Sequence, residues 1–254
     1  MRDFLAFAVG VSVLTIACGH ADAPPPSGSP PASATLEQRV ADFIEGTYVH
    51  GVPYDEARTL GAAAVPILVG LIKTQPADRS NILTVLGMLG GSDAELALKD
   101  FVRSGSGNLA DEEVELRLDA LTALGYAANV ATTDATLNYL IGGLQPATWP
   151  DLPTWRLPSG GDPSAQLRQR SIAALGLSGK TEALSALQVL LNPPPGGAGG
   201  GGGGGGRGGG RGGGPPLTPS EISLLRSAIE TNQFIASHAP NGLSEYYKKR
   251  LGGR

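Results

Sequence analysis

From Thr35 to Pro193 the apolar positions recur at helical spacing. Three stretches share an arginine, six residues and then Leu-Gly: RSNILTVLG from Arg79, RLDALTALG from Arg117 and RQRSIAALG from Arg168. Within them Leu83 and Leu86, then Leu118, Leu121 and Leu124, then Ile172 and Leu175 each form one apolar stripe. Each Leu-Gly is followed by a short polar turn and a second apolar helix. These second helices are carried by Ala94, Leu98 and Phe101, by Leu137, Leu140 and Ile141, and by Ala183, Leu187 and Leu190. A weaker opening copy runs through EARTLG, residues 56–61, into VPILVGLI, residues 65–72, after a first helix with Val40, Phe43 and Ile44 inward. A helix with one apolar stripe needs a neighbour to cover it, so the pattern predicts an all-α chain of stacked helical hairpins over residues 35–193.

Local signals refine that expectation. The glycines after Leu60, Leu86, Leu124 and Leu175 are expected to end first helices through a left-handed backbone. Ala62 to Ala64, Ala120, Ala123, Ala173 and Ala174 are small enough for close helix approach. Thr35-x-x-Gln38 and Ser92-x-x-Glu95 have the spacing of capping boxes. Asp111, Glu112 and Glu113 favour a helix amino terminus, where negative charge is stabilised. Arg79, Arg117 and Arg168 share one register and are expected as a surface row paired with carboxylates, or as a row facing a ligand.

One segment breaks the pattern. Residues 145–166, QPATWPDLPTWRLPSGGDPSAQ, hold five prolines and both tryptophans of the chain. Proline prevents a continuous helix there. Two readings are open for Trp149 and Trp155: they fold back to cap the stack, or they anchor a protein or glycan partner. In the second reading Arg156, with Asp151 and Asp162, supplies a polar rim.

The two ends have other compositions. After Met1-Arg2-Asp3 the run FLAFAVGVSVLTIA is apolar but too short to span a bilayer as a mature helix, and residues 1–17 read as a secretory signal. Cys18 follows, the only cysteine, and then a tether with five prolines over residues 19–34. Within residues 194–217, 16 of the 19 positions from Gly196 to Gly214 are glycine, the composition of a flexible linker. Helical pattern then resumes over residues 218–254. Thr218-Pro219-Ser220-Glu221 combines an N-cap, proline at the first helical position and a capping-box glutamate. The last stretch, LSEYYKKRL from Leu243, places two tyrosines beside three basic residues. It suits docking on the body or contact with an anionic envelope surface.

Charge and chemistry narrow the classes. The chain has 19 basic and 23 acidic residues, a net of -4, the wrong balance for a nucleic-acid binder. One cysteine excludes a disulfide scaffold. Gly179-Lys180-Thr181 resembles the end of a phosphate loop, but Ala174 stands where its first glycine belongs. The three histidines, His20, His50 and His238, show no metal-ligand spacing. No nucleophile elbow occurs, so neither a catalytic residue, a metal nor a cofactor is expected.

Two resemblances add to these readings. The signal, the single cysteine and the tether resemble a bacterial lipoprotein precursor, although Thr15 replaces the aliphatic residue usual three places before the cysteine. The resemblance implies cleavage before Cys18 and its acylation, hence a membrane-anchored place in the cell envelope, at the outer membrane or periplasmic face; plain secretion is the alternative. The Arg/Ala-to-Leu-Gly phrases, best matched at residues 168–191, resemble HEAT repeats and the short helical repeats of bilin lyases. The unequal intervals between Leu-Gly pairs make any such α-solenoid short and irregular. This resemblance implies a protein-binding or scaffolding role toward an unidentified envelope protein; a lyase-like enzyme or enzyme subunit and a structural envelope spacer are the alternatives.

Overall fold

A computed structural model of the chain describes residues 34–49, 51–193 and 217–252. The chain divides into two units, Met1–Ala34 and Thr35–Arg254, and the account below concerns the second. The signal, Cys18, the tether, His20, His50 and the glycine run at 194–216 lie outside the described residues.

The described residues are helical almost throughout, as the apolar periodicity predicts. In chain order the helices are α1 (Leu36–Ile44), α2 (Tyr54–Arg58), α3 (Val65–Thr74), α4 (Arg79–Leu89), α5 (Ser92–Arg103), α6 (Asp111–Val130), α7 (Ala135–Gly142), α8 (Ser164–Ser178), α9 (Thr181–Leu191), α10 (Pro219–Ser237) and α11 (Gly242–Gly252). The most extensive helix contacts join α4 to α6, α6 to α8 and α8 to α10, so these four lie side by side as one row. Helices α3, α5, α7 and α9 pack against this row from their hairpin partners. Leu83, Leu86, Leu121, Leu124, Ile172 and Leu175 are completely buried, as are Ala94, Leu98, Leu140 and Leu187 of the second helices.

Three of the four Leu-Gly glycines do something other than the sequence suggests. Gly87, Gly125 and Gly176 lie inside α4, α6 and α8 and end nothing. Each is a contact point. A Cβ on Gly87 would stand 2.8 Å from the carbonyl carbon of Ala123, and one on Gly125 would stand 2.8 Å from the Cα of Ala174. A Cβ on Gly176 would meet the Cα of Ala228 at 3.0 Å. Backbone therefore touches backbone along the row, which only glycine opposite a small residue permits. Gly61, after Leu60, does reverse the chain as expected, and elsewhere that role falls to Gly90 and Gly179, all three with positive φ.

Capping follows the sequence in part. Thr35 accepts the Gln38 amide N–H at 3.3 Å, and Thr218 with Glu221 forms a complete capping box. Ser92 instead is the first helical residue after Gly91, and Glu95 turns away to accept the Thr136 hydroxyl. The C-terminal hairpin belongs to the same compact unit as the body. Helix α10 lies on α8 and α9, and Asn232, fully buried, donates to the Leu175 carbonyl at 2.9 Å. Helix α11 reaches α2, where Ser244 donates to Asp55 at 2.8 Å and Tyr247 stacks on Tyr54.

Candidate functional site

Arg117 and Arg168 are buried and Arg79 is partly exposed, which corrects the expectation of a surface row. Arg117 is only 6% exposed. Its Nε donates to the Ser104 carbonyl at 2.8 Å and its Nη1 to Glu113 Oε2 at 2.6 Å. Arg79 does the same one hairpin earlier, with Nε on the Ile72 carbonyl at 2.9 Å and Nη1 on Glu113 Oε1 at 3.0 Å. Arg168 is buried with its Nε 3.6 Å from Glu221, beyond hydrogen-bond distance. Two of these guanidiniums thus cap carbonyls at or near the ends of α3 and α5, where cations are favoured. Both bond Glu113 of α6, which is the next helix in the row for Arg79 and its own helix, one turn back, for Arg117. The hydrogen bond from Arg117 holds the Glu113 carboxyl below its ordinary pKa. Arg79 and Arg117 tie neighbouring hairpins together.

The Pro/Trp segment folds back onto the helices. Trp155 is fully buried, and its Nε1 donates to the Val102 carbonyl at 2.8 Å. Trp155 and Arg156 pair in parallel with Gly107 and Asn108, a two-residue ladder that ties the segment to the connection after α5. Trp149 is 5% exposed and packs edge-on against Tyr139, ring centroids 4.9 Å apart. Neither indole is an exposed anchor, because together they fill the space left where proline prevents helix. Arg156 is exposed and lies 3.5 Å from Asp162. Asp162 in turn accepts the Ser164 N–H at 2.7 Å at the start of α8, and hydrogen bonding from the Ser164 side chain and then its backbone keeps the Asp162 carboxyl below the usual range. Arg156 thus sits apart from both indoles as a rim residue of the segment.

One cleft opens beside Trp149. Its volume is about 330 Å³, and it is bounded by Lys99 and Arg103 of α5, by Ala135, Asn138, Tyr139 and Gly142 of α7, and by Trp149, Pro150 and Asp151. Arg103 bridges Asp100 at 2.6 Å and Asp151 at 3.2 Å. Lys99 makes no ion pair among the described residues; its Nζ lies over the Tyr139 ring, 5.5 Å from the centroid. Burial lowers the Lys99 pKa, opposed by Glu95 and Asp151. The Tyr139 hydroxyl is pushed up by burial and next by Asp151. Tyr139 Oη and Trp149 Nε1 are both buried without a hydrogen-bond partner.

In comparisons with known proteins, no family model, curated protein or solved structure matches the chain. The site must be read from its own atoms.

A second cleft, about 520 Å³, is bounded by residues of α4, α6 and α11 and by Val49, Gly51 and Val52. Ser80 and Thr84, Asp119 and Thr122, and Tyr126, Tyr247 and Arg250 line it. Ser80 donates to Asp119 at 3.1 Å, and Tyr247 donates to Tyr126 at 2.7 Å. Burial raises the Asp119 carboxyl above its ordinary pKa, with Ser80 opposing. Its hydroxyls are mostly engaged with one another or with helix carbonyls, so this cleft is already largely satisfied. Among the described residues no group of three His, Cys, Asp or Glu side chains could hold a metal ion. No described helix is long and apolar enough to cross a membrane.

Sequence reasoning picked out Trp149 but missed Lys99 and Tyr139. Tyr139 falls between Leu137 and Leu140, one step off the apolar stripe, and Lys99 falls in the polar half of its helix. The one available signal was an aromatic hydroxyl bordering a stripe that faces a proline-rich segment.

Proposed function

We propose that the chain is a non-enzymatic, lipid-anchored protein of the bacterial cell envelope, whose helices form a short, irregular HEAT-type stack presenting a surface to another envelope protein. The observation that carries this reading is the repeated contact of Gly87 with Ala123, Gly125 with Ala174 and Gly176 with Ala228. One geometric device used three times in one row is what a repeat architecture requires, since each unit covers the stripe of the next. Such stacks serve mostly as binding surfaces, and that step is made by analogy of fold. Two of the large apolar side chains left open to solvent, Leu96 at 57% and Val189 at 58%, belong to the second helices α5 and α9. Acylation at Cys18 would supply the anchor, because two or more chains hold a protein on a bilayer far better than one.

The test has two arms. Growth with an alkyne fatty acid should label the wild-type chain and not the Cys18→Ser variant; an unlabelled, soluble wild type removes the anchor. Photo-crosslinkers at Leu96 and Val189 should each trap a discrete envelope protein, whereas a diffuse smear or no adduct at both positions removes the scaffold role.

A further inference from the structure

We infer that the cleft between α5, α7 and Trp149 is a binding site for a carboxylate, with Lys99, Tyr139 and Trp149 as its donors. This goes beyond the scaffold reading and does not depend on it.

The inference begins with two unsatisfied groups. A buried polar group without a partner costs about 1–3 kcal/mol, and native proteins keep few of them. The same segment provides the comparison. Trp155 Nε1 finds the Val102 carbonyl, while Trp149 Nε1 finds nothing. Trp149 sits with its N–H edge over Gly142, where a Cβ would stand 2.5 Å from Cδ1 and 2.8 Å from Nε1. The absent side chain lets the indole edge pack directly on Gly142, which lines the cleft. Tyr139 Oη, the second unpartnered group, belongs to the ring that meets the same indole edge-on.

The chemistry of these groups selects the ligand. An indole N–H can only donate, and an ammonium can only donate. Whatever completes the set must bring at least two acceptor lone pairs close together. Charge decides among acceptors. Lys99 and Arg103 against Asp151 leave the cleft lining with one net positive charge, and Arg103 is already held between Asp100 and Asp151. Lys99 is therefore the cation open to a ligand. A single negative charge matches it, whereas a dianionic phosphate would bring a second charge toward Asp151 and Asp100. Ala135, Gly142 and Pro150 offer apolar wall for a short hydrocarbon stem, and a volume of about 330 Å³ suits one side-chain-sized group. A carboxylate on such a stem has two sources: a free short-chain acid, or a glutamate side chain of a peptide.

The chain carries its own reporter, since Trp149 and Trp155 are its only tryptophans. The full chain would be titrated in turn with butyrate, with butyramide and with a doubly blocked Ala-Glu-Ala peptide, and its two indole N–H resonances followed, assigned with Trp149→Phe. A saturable shift of the Trp149 resonance with butyrate or with the peptide is expected, while Trp155, bonded to Val102, stays in place and reports an intact fold. Butyrate alone identifies a free acid, the peptide alone identifies a glutamate side chain, and both identify a site open to either. Lys99→Met and Tyr139→Phe should each weaken binding about tenfold, the loss of one hydrogen bond to a charged group. No shift with either carboxylate, an equal shift with butyramide, or unchanged affinity in both variants would overturn the assignment.

Discussion

Adding one methyl group at Gly125 should harm this protein, while adding the same group at Gly70 should help it. Both glycines lie within helices, so Ala is the better helix former at each by about 1 kcal/mol. Nothing lies within 4 Å of a Cβ built on Gly70, and Gly70→Ala should therefore gain most of that preference. At Gly125 the new carbon would stand 2.8 Å and 2.9 Å from the Cα and carbonyl carbon of Ala174 and nearer still to its carbonyl oxygen. These are main-chain atoms of a buried helix and no rotamer change removes them, so α6 and α8 must separate. Overpacking of this kind costs about 3 kcal/mol at the upper end of its usual range; less about 1 kcal/mol of helix preference, a loss of about 2 kcal/mol remains. For a unit of this size that is roughly 4–8 °C in melting temperature. Urea and thermal unfolding followed by far-ultraviolet circular dichroism would measure both variants. If Gly125→Ala proves as benign as Gly70→Ala, the two helices do not approach at their backbones and the account of the row fails.

Other consequences follow from single contacts. Trp155→Phe should cost about 1 kcal/mol more than Trp149→Phe in chemical denaturation, because only the first removes a made hydrogen bond. Arg117→Met should destabilise by about 2 kcal/mol, since it removes the charged hydrogen bonds to the Ser104 carbonyl and the Glu113 carboxylate. The same variant should lose less stability on acidification than wild type does. Glu113 has a depressed folded pKa, so its contribution is present above the unfolded value of 4.5 and fades as pH falls through the folded one. Asp119 has the opposite sign. Its folded pKa is raised above 3.8, so its ionisation opposes folding at neutral pH, and Asp119→Asn should raise the melting temperature there. That gain should vanish below pH 3.8, where the carboxyl is protonated in both states.

The helices were legible because a stripe of Leu and Ala at helical spacing has one stable fate in water, and Leu83, Leu121 and Ile172 meet it. The role of Gly87, Gly125 and Gly176 was not. A glycine after a leucine reads as a terminator, and only the position of the neighbouring helix shows that the missing Cβ is needed inside the row. The arginines misled for a similar reason. A lone Arg in a polar register reads as exposed, yet each helix end leaves carbonyls without partners, and a long guanidinium can stay inside when it satisfies them. Trp149 and Trp155 were found by composition, but their burial depended on the connection after α5 arriving alongside. Lys99 and Tyr139 come together only because α5 and α7 pack on the same side of α6, a fact of tertiary structure with no local trace.

The row also explains where it stops. Ala123 precedes Gly125 by two positions in α6, and Ala174 precedes Gly176 by two in α8; each helix receives a neighbour's glycine on its alanine and offers its own glycine to the next. Helix α10 receives Gly176 on Ala228, but two positions on it has Glu230, which is exposed. A charged side chain at the offering position cannot admit another backbone, and it keeps the end of the row soluble, as terminal units of stacked helices must be. Helix α10, beyond the glycine run, is therefore the last member of the row. Removing residues 217–254 should uncover Leu175 and Gly176, lower the melting temperature of what remains and promote self-association, and replacing Glu230 by glycine should promote association while costing no more than about 1 kcal/mol of helix preference. Gel filtration and light scattering read both outcomes. A truncated chain that stays monomeric and as stable as the whole would mean that α10 is an ornament and the row already ends at α8.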